Sequence, residues 1–137
     1  QNTYSRDEVE AFIERVKKGL GKGEHAFCCE IKMDGIAVTA RYEKGRFVLG
    51  ATRGNGKEGD EITNNLRTIQ NLPLHLEGDH FPEAFEIRGE VFMPKKAFER
   101  LNNERKKEDE IPWANPRNAA AGSLKLLDPK EVAKRGL

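Results

Sequence analysis

The sequence lacks a dominant charge. Its 137 residues carry 24 Lys and Arg against 23 Asp and Glu, a formal net charge of +1. That excludes a general basic field for non-specific nucleic-acid binding and leaves room only for a local basic patch. It also lacks long apolar runs. The mean hydropathy is -0.76 and no stretch approaches the ~18 apolar residues of a membrane span, so no membrane partner is expected. The secretory pattern of charge, apolar stretch and small-residue cleavage site is absent. Cysteine is scarce: Cys28 and Cys29 are adjacent, and the three histidines His25, His75 and His80 show no ligand spacing with them. Neighbouring cysteines rarely pair with each other and do not make a zinc site alone, so a reducing, cytoplasmic location is expected. Hydrophobic residues, at 36%, are few for a fully independent globule, and the chain starts at Gln1 rather than Met. It reads as one domain's length cut from a longer protein. There is no internal repeat and no low-complexity tract.

What is present is a mixture of elements. Ser5-Arg6-Asp7-Glu8 is a capping box. Val9, Phe12, Ile13 and Val16 follow as one apolar helical stripe, Lys17 and Lys18 suit a C-terminal dipole, and Gly19 and Gly21 stop the helix. The segment 19–25 is a polar connector. From Ala26 the period becomes two, which predicts a long strand to Ala40, kinked at Gly35, and then a hairpin turning at Glu43-Lys44-Gly45. Asp60 is placed to cap a helix over 61–70 that Pro73 limits. Phe85–Met93 reads as a strand, Pro94 opens a helix carrying Phe98 and Leu101, and the run 104–110 is a solvated helix end or loop. Asn115-Pro116 breaks the chain before Ala119-Ala120-Ala121, a short helix or a tight packing contact. Without regular βαβ spacing the fold class is α+β rather than doubly wound α/β.

Two charged ladders carry the chemistry. In an extended Glu30-Ile31-Lys32-Met33-Asp34-Gly35, the residues Glu30, Lys32 and Asp34 share a face. Three charges amid Phe27, Ile36, Ala37 and Val38 cost several kcal/mol unless paired or turned to a ligand; an exposed edge strand with a salt ladder explains them equally well. Glu86, Arg88 and Glu90 alternate likewise in Glu86–Met93, with Gly89 admitting a close neighbour. Two such strands suggest facing walls of one polar cleft. Thr52-Arg53-Gly54-Asn55-Gly56 suits backbone contact with phosphate, although a plain turn explains it more simply; it is neither a P-loop nor a dinucleotide fingerprint. Arg117 and Lys125 are cations near helix ends, suited to anions, or simply surface charge.

Lys32-Met33-Asp34-Gly35 resembles the nucleophile motif of covalent nucleotidyltransferases, the DNA ligases, RNA ligases and mRNA capping enzymes. The wider text resembles one branch. Cys29–Val38, Ala51–Gly56, Ile62–Ile69, Arg88–Pro94, Ala114–Leu124 and Leu127-Asp128-Pro129 follow, in order, the bacterial NAD-dependent DNA ligases. The block Ala-Asn-Pro-Arg-Asn-Ala-Ala-Ala-Gly-Ser is specific, and ATP-dependent ligases lack it. The resemblance implies a nucleotidyltransferase fold, antiparallel sheets flanked by helices with the nucleotide between them. It further implies a partial adenylation domain over 1–137, with a leading helix in 1–20 and part of the nucleotide-binding core in 26–137.

By the same resemblance Lys32 attacks the α-phosphate of NAD, forms Lys-AMP and releases nicotinamide mononucleotide. The AMP then passes to a 5′-phosphorylated nick before the phosphodiester forms, in DNA replication and repair. Glu30 would contact adenine and Arg53 ribose or phosphate. Glu90 would bind ribose hydroxyls and, with Asp34 nearby, orient hydrated Mg²⁺. Arg117 would meet phosphates or the DNA end. Lys125 stands where the family usually has Arg, keeping charge and losing the planar fork; Asn55 stands for a frequent Asp. A lysine of ordinary pKa ~10.4 is a poor neutral-pH nucleophile, and Glu30 and Asp34 raise that pKa further. Cations at the phosphates are therefore required. Zinc is implied only for parts beyond this sequence, a monomer is expected, and this segment alone is expected to be inactive. The competing readings are a non-catalytic nucleotide-binding module of the same fold and a capping-type or ATP-dependent transferase, which the Asn115–Leu124 block disfavours.

Overall fold

The computed structural model describes residues 2–21, 23–78 and 80–137. Gln1, Asp79 and Lys22, the last within the 19–25 connector, lie outside the described residues. The chain divides into two compact units, Gln1–Lys32 and Met33–Leu137. The division falls after Lys32, so that residues 26–32 go with the leading helix.

In the first unit, α1 spans Arg6–Leu20. The capping box forms as the sequence predicts: Ser5 Oγ accepts the N–H of Glu8 at 3.3 Å and Glu8 Oε2 accepts the N–H of Ser5 at 3.3 Å. Gly19 is absorbed into the helix, and Gly21, at φ 82°, ends it. No residue of the apolar stripe is buried; Val9 and Phe12 remain 43% exposed. Residues 24–34 have no regular secondary structure.

The strand expected from Ala26 therefore begins only at Ile36. In the second unit β1 (Ile36–Glu43) is the centre of a three-stranded antiparallel sheet, between β2 (Arg46–Thr52) and β3 (Ala84–Val91). β1 and β2 are joined by Lys44 and Gly45, both at positive φ (48° and 73°), with Glu43 opposite Arg46. This is the primed two-residue turn whose twist matches a hairpin. A bulge between Arg41 and Tyr42 shifts the register. The ladder to β3 runs without slip from Ile36–Val91 to Glu43–Ala84. The two charged segments are thus not two strands of the same kind. Glu86, Arg88 and Glu90 lie in the same sheet as β1, and the 30–34 segment is not a strand.

One sheet face is buried: Val38, Ala40, Tyr42, Phe47 and Val91 pack with Ile62, Leu66, Ile69 and Leu124. The helix expected over 61–70 shrinks to the short α2 (Thr63–Leu66). Asp60 does not cap it, because the carboxylate is held by Lys125 at 2.8 Å. Following β3, α3 (Lys95–Lys107), α4 (Pro116–Leu124) and α5 (Pro129–Arg135) complete the unit. A second apolar cluster joins Met93, Leu101, Ala119 and Ala120, with Phe98 and Trp113 packed against it. Ala119 and Ala120 are fully buried, so the Ala run is both a helix and a packing contact. Asn115 caps α4 by accepting the N–H of Asn118 at 2.8 Å, and Asp128 caps α5 through the N–H of Lys130 at 2.9 Å. Gly89 admits no close neighbour, since a Cβ there would meet nothing within 4 Å.

Candidate functional site

The other sheet face is open and polar. Strand alternation puts Ala37, Thr39 and Arg41 on the face away from the buried Val38, Ala40 and Tyr42. Their partners on β3 are Glu90, Arg88 and Glu86. Toward β2, Thr39 pairs with Ala51, and the N–H of Arg53 donates to the carbonyl of Ala37 at 2.9 Å. Arg53, Ala37 and Glu90 therefore form one row across the sheet, with Ala51, Thr39 and Arg88 as the next. At the usual strand spacing the backbones of Arg53 and Glu90 stand roughly 10 Å apart. The floor between the charged rims is made of the small side chains Ala37, Thr39 and Ala51. A guanidinium on one rim and a carboxylate on the other suit a ligand with an anionic end and hydroxyl donors.

The edge of this face is fixed by Gly35. Its N–H donates to Glu90 Oε1 at 3.2 Å. It is buried, and a Cβ built on it would lie 2.2 Å from the carbonyl oxygen of Val91, so only glycine lets the backbones approach this closely. Beside it, Asp34 Oδ1 accepts from Arg117 at 3.2 Å. Both partners are more than half exposed (77% and 55%), so the pair is worth ~0–1 kcal/mol, and an incoming phosphate can compete for the guanidinium. Arg117 lies in the first turn of α4, where the macrodipole favours the Asp34 carboxylate.

The loop after Arg53 is self-braced. Asn55 Oδ1 accepts the N–H groups of Lys57 and Glu58, each at 2.9 Å. Gly54, at φ 52°, leaves no room for a Cβ, which would fall 1.8 Å from the Glu58 carbonyl oxygen. Of the two glycines in the Thr52–Gly56 stretch, Gly54 is thus needed for packing, whereas a Cβ on Gly56 would meet nothing within 4 Å.

Lys125 is not gathered with Arg117. The two stand at opposite ends of α4, with Lys125 as its C-cap. Its ammonium holds Asp60, whose carboxyl is lowered below the usual carboxylate range first by that hydrogen bond and then by the same charge. Asp60 and Lys125 border an open groove of about 470 Å³ that also includes Thr63, Asn65 and Leu127. Glu30 and Lys32 belong to the first unit and are exposed.

Sequence reasoning assigned nothing to Asn65. It is buried, and its Nδ2 donates to the carbonyls of Leu124 and Leu126, each at 2.8 Å. The one available signal was a polar residue within Ile62–Ile69, where Ile62, Leu66 and Ile69 are apolar. Asp60, expected as a helix cap, is instead the partner of Lys125. Among the described residues no group of three or more His, Cys, Asp and Glu side chains gathers as a metal cage, and no helix is long and apolar enough to cross a membrane.

Comparison with known proteins gives this arrangement its context. Residues 1–137 match the family described as the NAD-dependent DNA ligase adenylation domain. Similar curated proteins are a DNA ligase of Protochlamydia amoebophila, 60% identical over 136 residues, and one of Methylacidiphilum infernorum, 55% identical over 137. A DNA ligase of Bacillus subtilis is 52% identical over 136 residues. These alignments cover 99–100% of the chain and 20% of each relative, so the chain spans about a fifth of the length of the curated relatives it matches. The chain belongs to the adenylation-domain family of NAD-dependent DNA ligases.

Proposed function

We propose that the chain carries the nucleophile and part of the nucleotide pocket of a ligase that uses NAD to seal nicked DNA. The neutral amine of Lys32 attacks the α-phosphorus of NAD. A P–N bond forms, the bond from that phosphorus to the bridging pyrophosphate oxygen breaks, and nicotinamide mononucleotide leaves with the electron pair. The amine proton passes to solvent. An oxygen of the 5′-phosphate at the nick then displaces the lysine, and the 3′-hydroxyl displaces AMP.

Glu30 contacts the adenine in this reading. Arg53 and Glu90, at opposite rims of the Ala37 row, take phosphate or ribose and the ribose hydroxyls respectively. Arg117 exchanges Asp34 for a phosphate, and Lys125 supplies a further cation. Asp34 and Glu90 each commit one carboxylate oxygen to a protein donor, leaving the second for water. That suits Mg²⁺, which keeps much of its water shell and takes few carboxylates; when bound it would neutralise phosphate charge.

The observation that supports this reading most is the hydrogen bond from Gly35 to Glu90. It ties the end of the Lys-Met-Asp-Gly motif to a carboxylate on the open sheet face, within a chain whose family is an adenylation domain. The test is the intact mass of a full-length ligase carrying this sequence after incubation with NAD. The expected result is a gain of one AMP, mapped by peptide sequencing to Lys32 and absent in Lys32→Arg, whose guanidinium stays protonated. AMP on another residue, or an unaltered gain in the variant, overturns the assignment. A protein that binds NAD without gaining mass is the non-catalytic module instead.

A further inference from the structure

We infer that Asn65 is a positioning residue for Lys125, acting through the backbone on both sides of it. This rests on the proposed function, in which Lys125 serves the nucleotide phosphates.

The Asn65 side chain is confined, with the residue 7% exposed. Both its hydrogen-bond partners, the carbonyls of Leu124 and Leu126, are acceptors only. The atom facing them is therefore the amide nitrogen, with both its protons engaged. Those carbonyls bracket Lys125, the C-cap of α4, where a helix leaves its last carbonyls unpartnered and the chain otherwise frays. Leu124 is fully buried beneath, so the main chain at 124–126 is held from inside by packing and from the side by one carboxamide. Lys125 projects from this clamped turn to Asp60 at 2.8 Å. Asp60 is itself fixed, its N–H donating to Thr52 Oγ1 at 2.9 Å and its carbonyl accepting the N–H of Thr52 at 2.9 Å. Asn65, Lys125, Asp60 and Thr52 form one chain of contacts from the helices to the end of β2, next to Arg53. Lysine carries its charge on a flexible stem without the planar fork of arginine, so a held backbone adds to what the Asp60 contact does to place it.

The test is a double-mutant cycle in a full-length ligase carrying this sequence, read as the rate of Lys-AMP formation against NAD concentration. Asn65→Ala is expected to raise the apparent KM for NAD by roughly tenfold, within the range that small misplacements produce. Asn65→Ser, which keeps one donor, should lie between. In a Lys125→Ala background the Asn65 substitution should change nothing further. Tyr42→Phe, which removes a part-buried hydrogen bond to the Pro73 carbonyl far from this turn in sequence, should lower the melting temperature and leave the KM alone. Additive effects of the Asn65 and Lys125 changes, or a KM shift in Tyr42→Phe equal to that in Asn65→Ala, reduce Asn65 to a structural role and overturn the inference. So does a Lys125→Ala enzyme with unaltered kinetics. In each case Lys32 can still gain AMP, so the proposed function stands or falls separately.

Discussion

Glu90 and Gly35 are 55 residues apart in sequence and joined by one hydrogen bond, from the glycine N–H to a carboxylate oxygen at 3.2 Å. The bond separates two properties of the carboxyl group, its charge and its capacity to accept. Glu90→Gln keeps an acceptor for Gly35 and loses the charge; Glu90→Ala loses both. A charge-assisted hydrogen bond contributes roughly 1.5–3 kcal/mol. Alanine should therefore slow Lys-AMP formation strongly, with glutamine slowing it less. Rates for both variants equal to the parent's return Glu90 to a surface ion ladder.

Two glycines flanking this bond should respond oppositely to alanine. At Gly35 a Cβ would lie 2.2 Å from the Val91 carbonyl oxygen and 3.0 Å from Phe92 Cβ, while at Gly89 it would meet nothing within 4 Å. Gly35→Ala should lower stability by about 1–3 kcal/mol, the usual range for overpacking. Gly89→Ala should be neutral or gain up to about 1 kcal/mol from reduced unfolded-state entropy. Denaturant titration of the two variants reads both; equal losses would contradict the geometry.

The Lys125–Asp60 pair makes a pH prediction. Lys125 lowers the Asp60 carboxyl in the folded state. A depressed carboxylate contributes stability that is fully present above its unfolded pKa, ~3.9, and is lost as pH falls through the lower folded value. Lys125→Met should move the Asp60 resonance midpoint upward in a carboxyl-carbon NMR titration. Any melting-temperature gap between variant and parent due to this pair should close in acid. An Asp60 midpoint unchanged by the substitution rejects the pairing.

The 137-residue chain alone should not seal nicks. It spans 20% of the relatives, and with a net charge of +1 it offers little of the cationic surface that phosphate contacts require. Gel assays of nicked duplex with this chain beside a full-length ligase carrying the same sequence give the comparison. Sealing at similar rates would show a smaller catalytic unit.

Where the local code is self-sufficient, sequence and structure agree. Ser5 and Glu8 cap α1 and Lys44-Gly45 turns the hairpin, each by contacts within a few residues, while Asn115-Pro116, expected only as a break in the chain, is the cap and first residue of α4. The α5 start was equally legible in Asp128-Pro129 and went unassigned. Failures came where a partner distant in sequence decides. Alternation over Ala26–Asp34 meets the requirement for a strand's side chains, but a ladder also needs a neighbour, and the β3 pairing ends at Ile36 with Val91. Asp60 has the chemistry of a cap, yet a lysine 65 residues later takes its carboxylate. Asn65 is invisible to periodicity because its role exists only once α4 has returned to α2. Of the candidate site, the residue types were readable from text; the row of Arg53, Ala37 and Glu90 needed the register.

The sheet has unequal margins. Outside β2, main-chain bonds run from Ile62 to Gly50, from Phe47 to Leu74 and from Leu76 to Gly45, so that side is sealed by the chain itself. Outside β3, no strand pairs among the described residues, and the exposed Glu86, Arg88 and Glu90 line that margin with charge, which discourages pairing with another strand. A ribbon with one sealed margin cannot lengthen indefinitely. The sealed margin at β2 thus gives the sheet one end at which no further strand can be added.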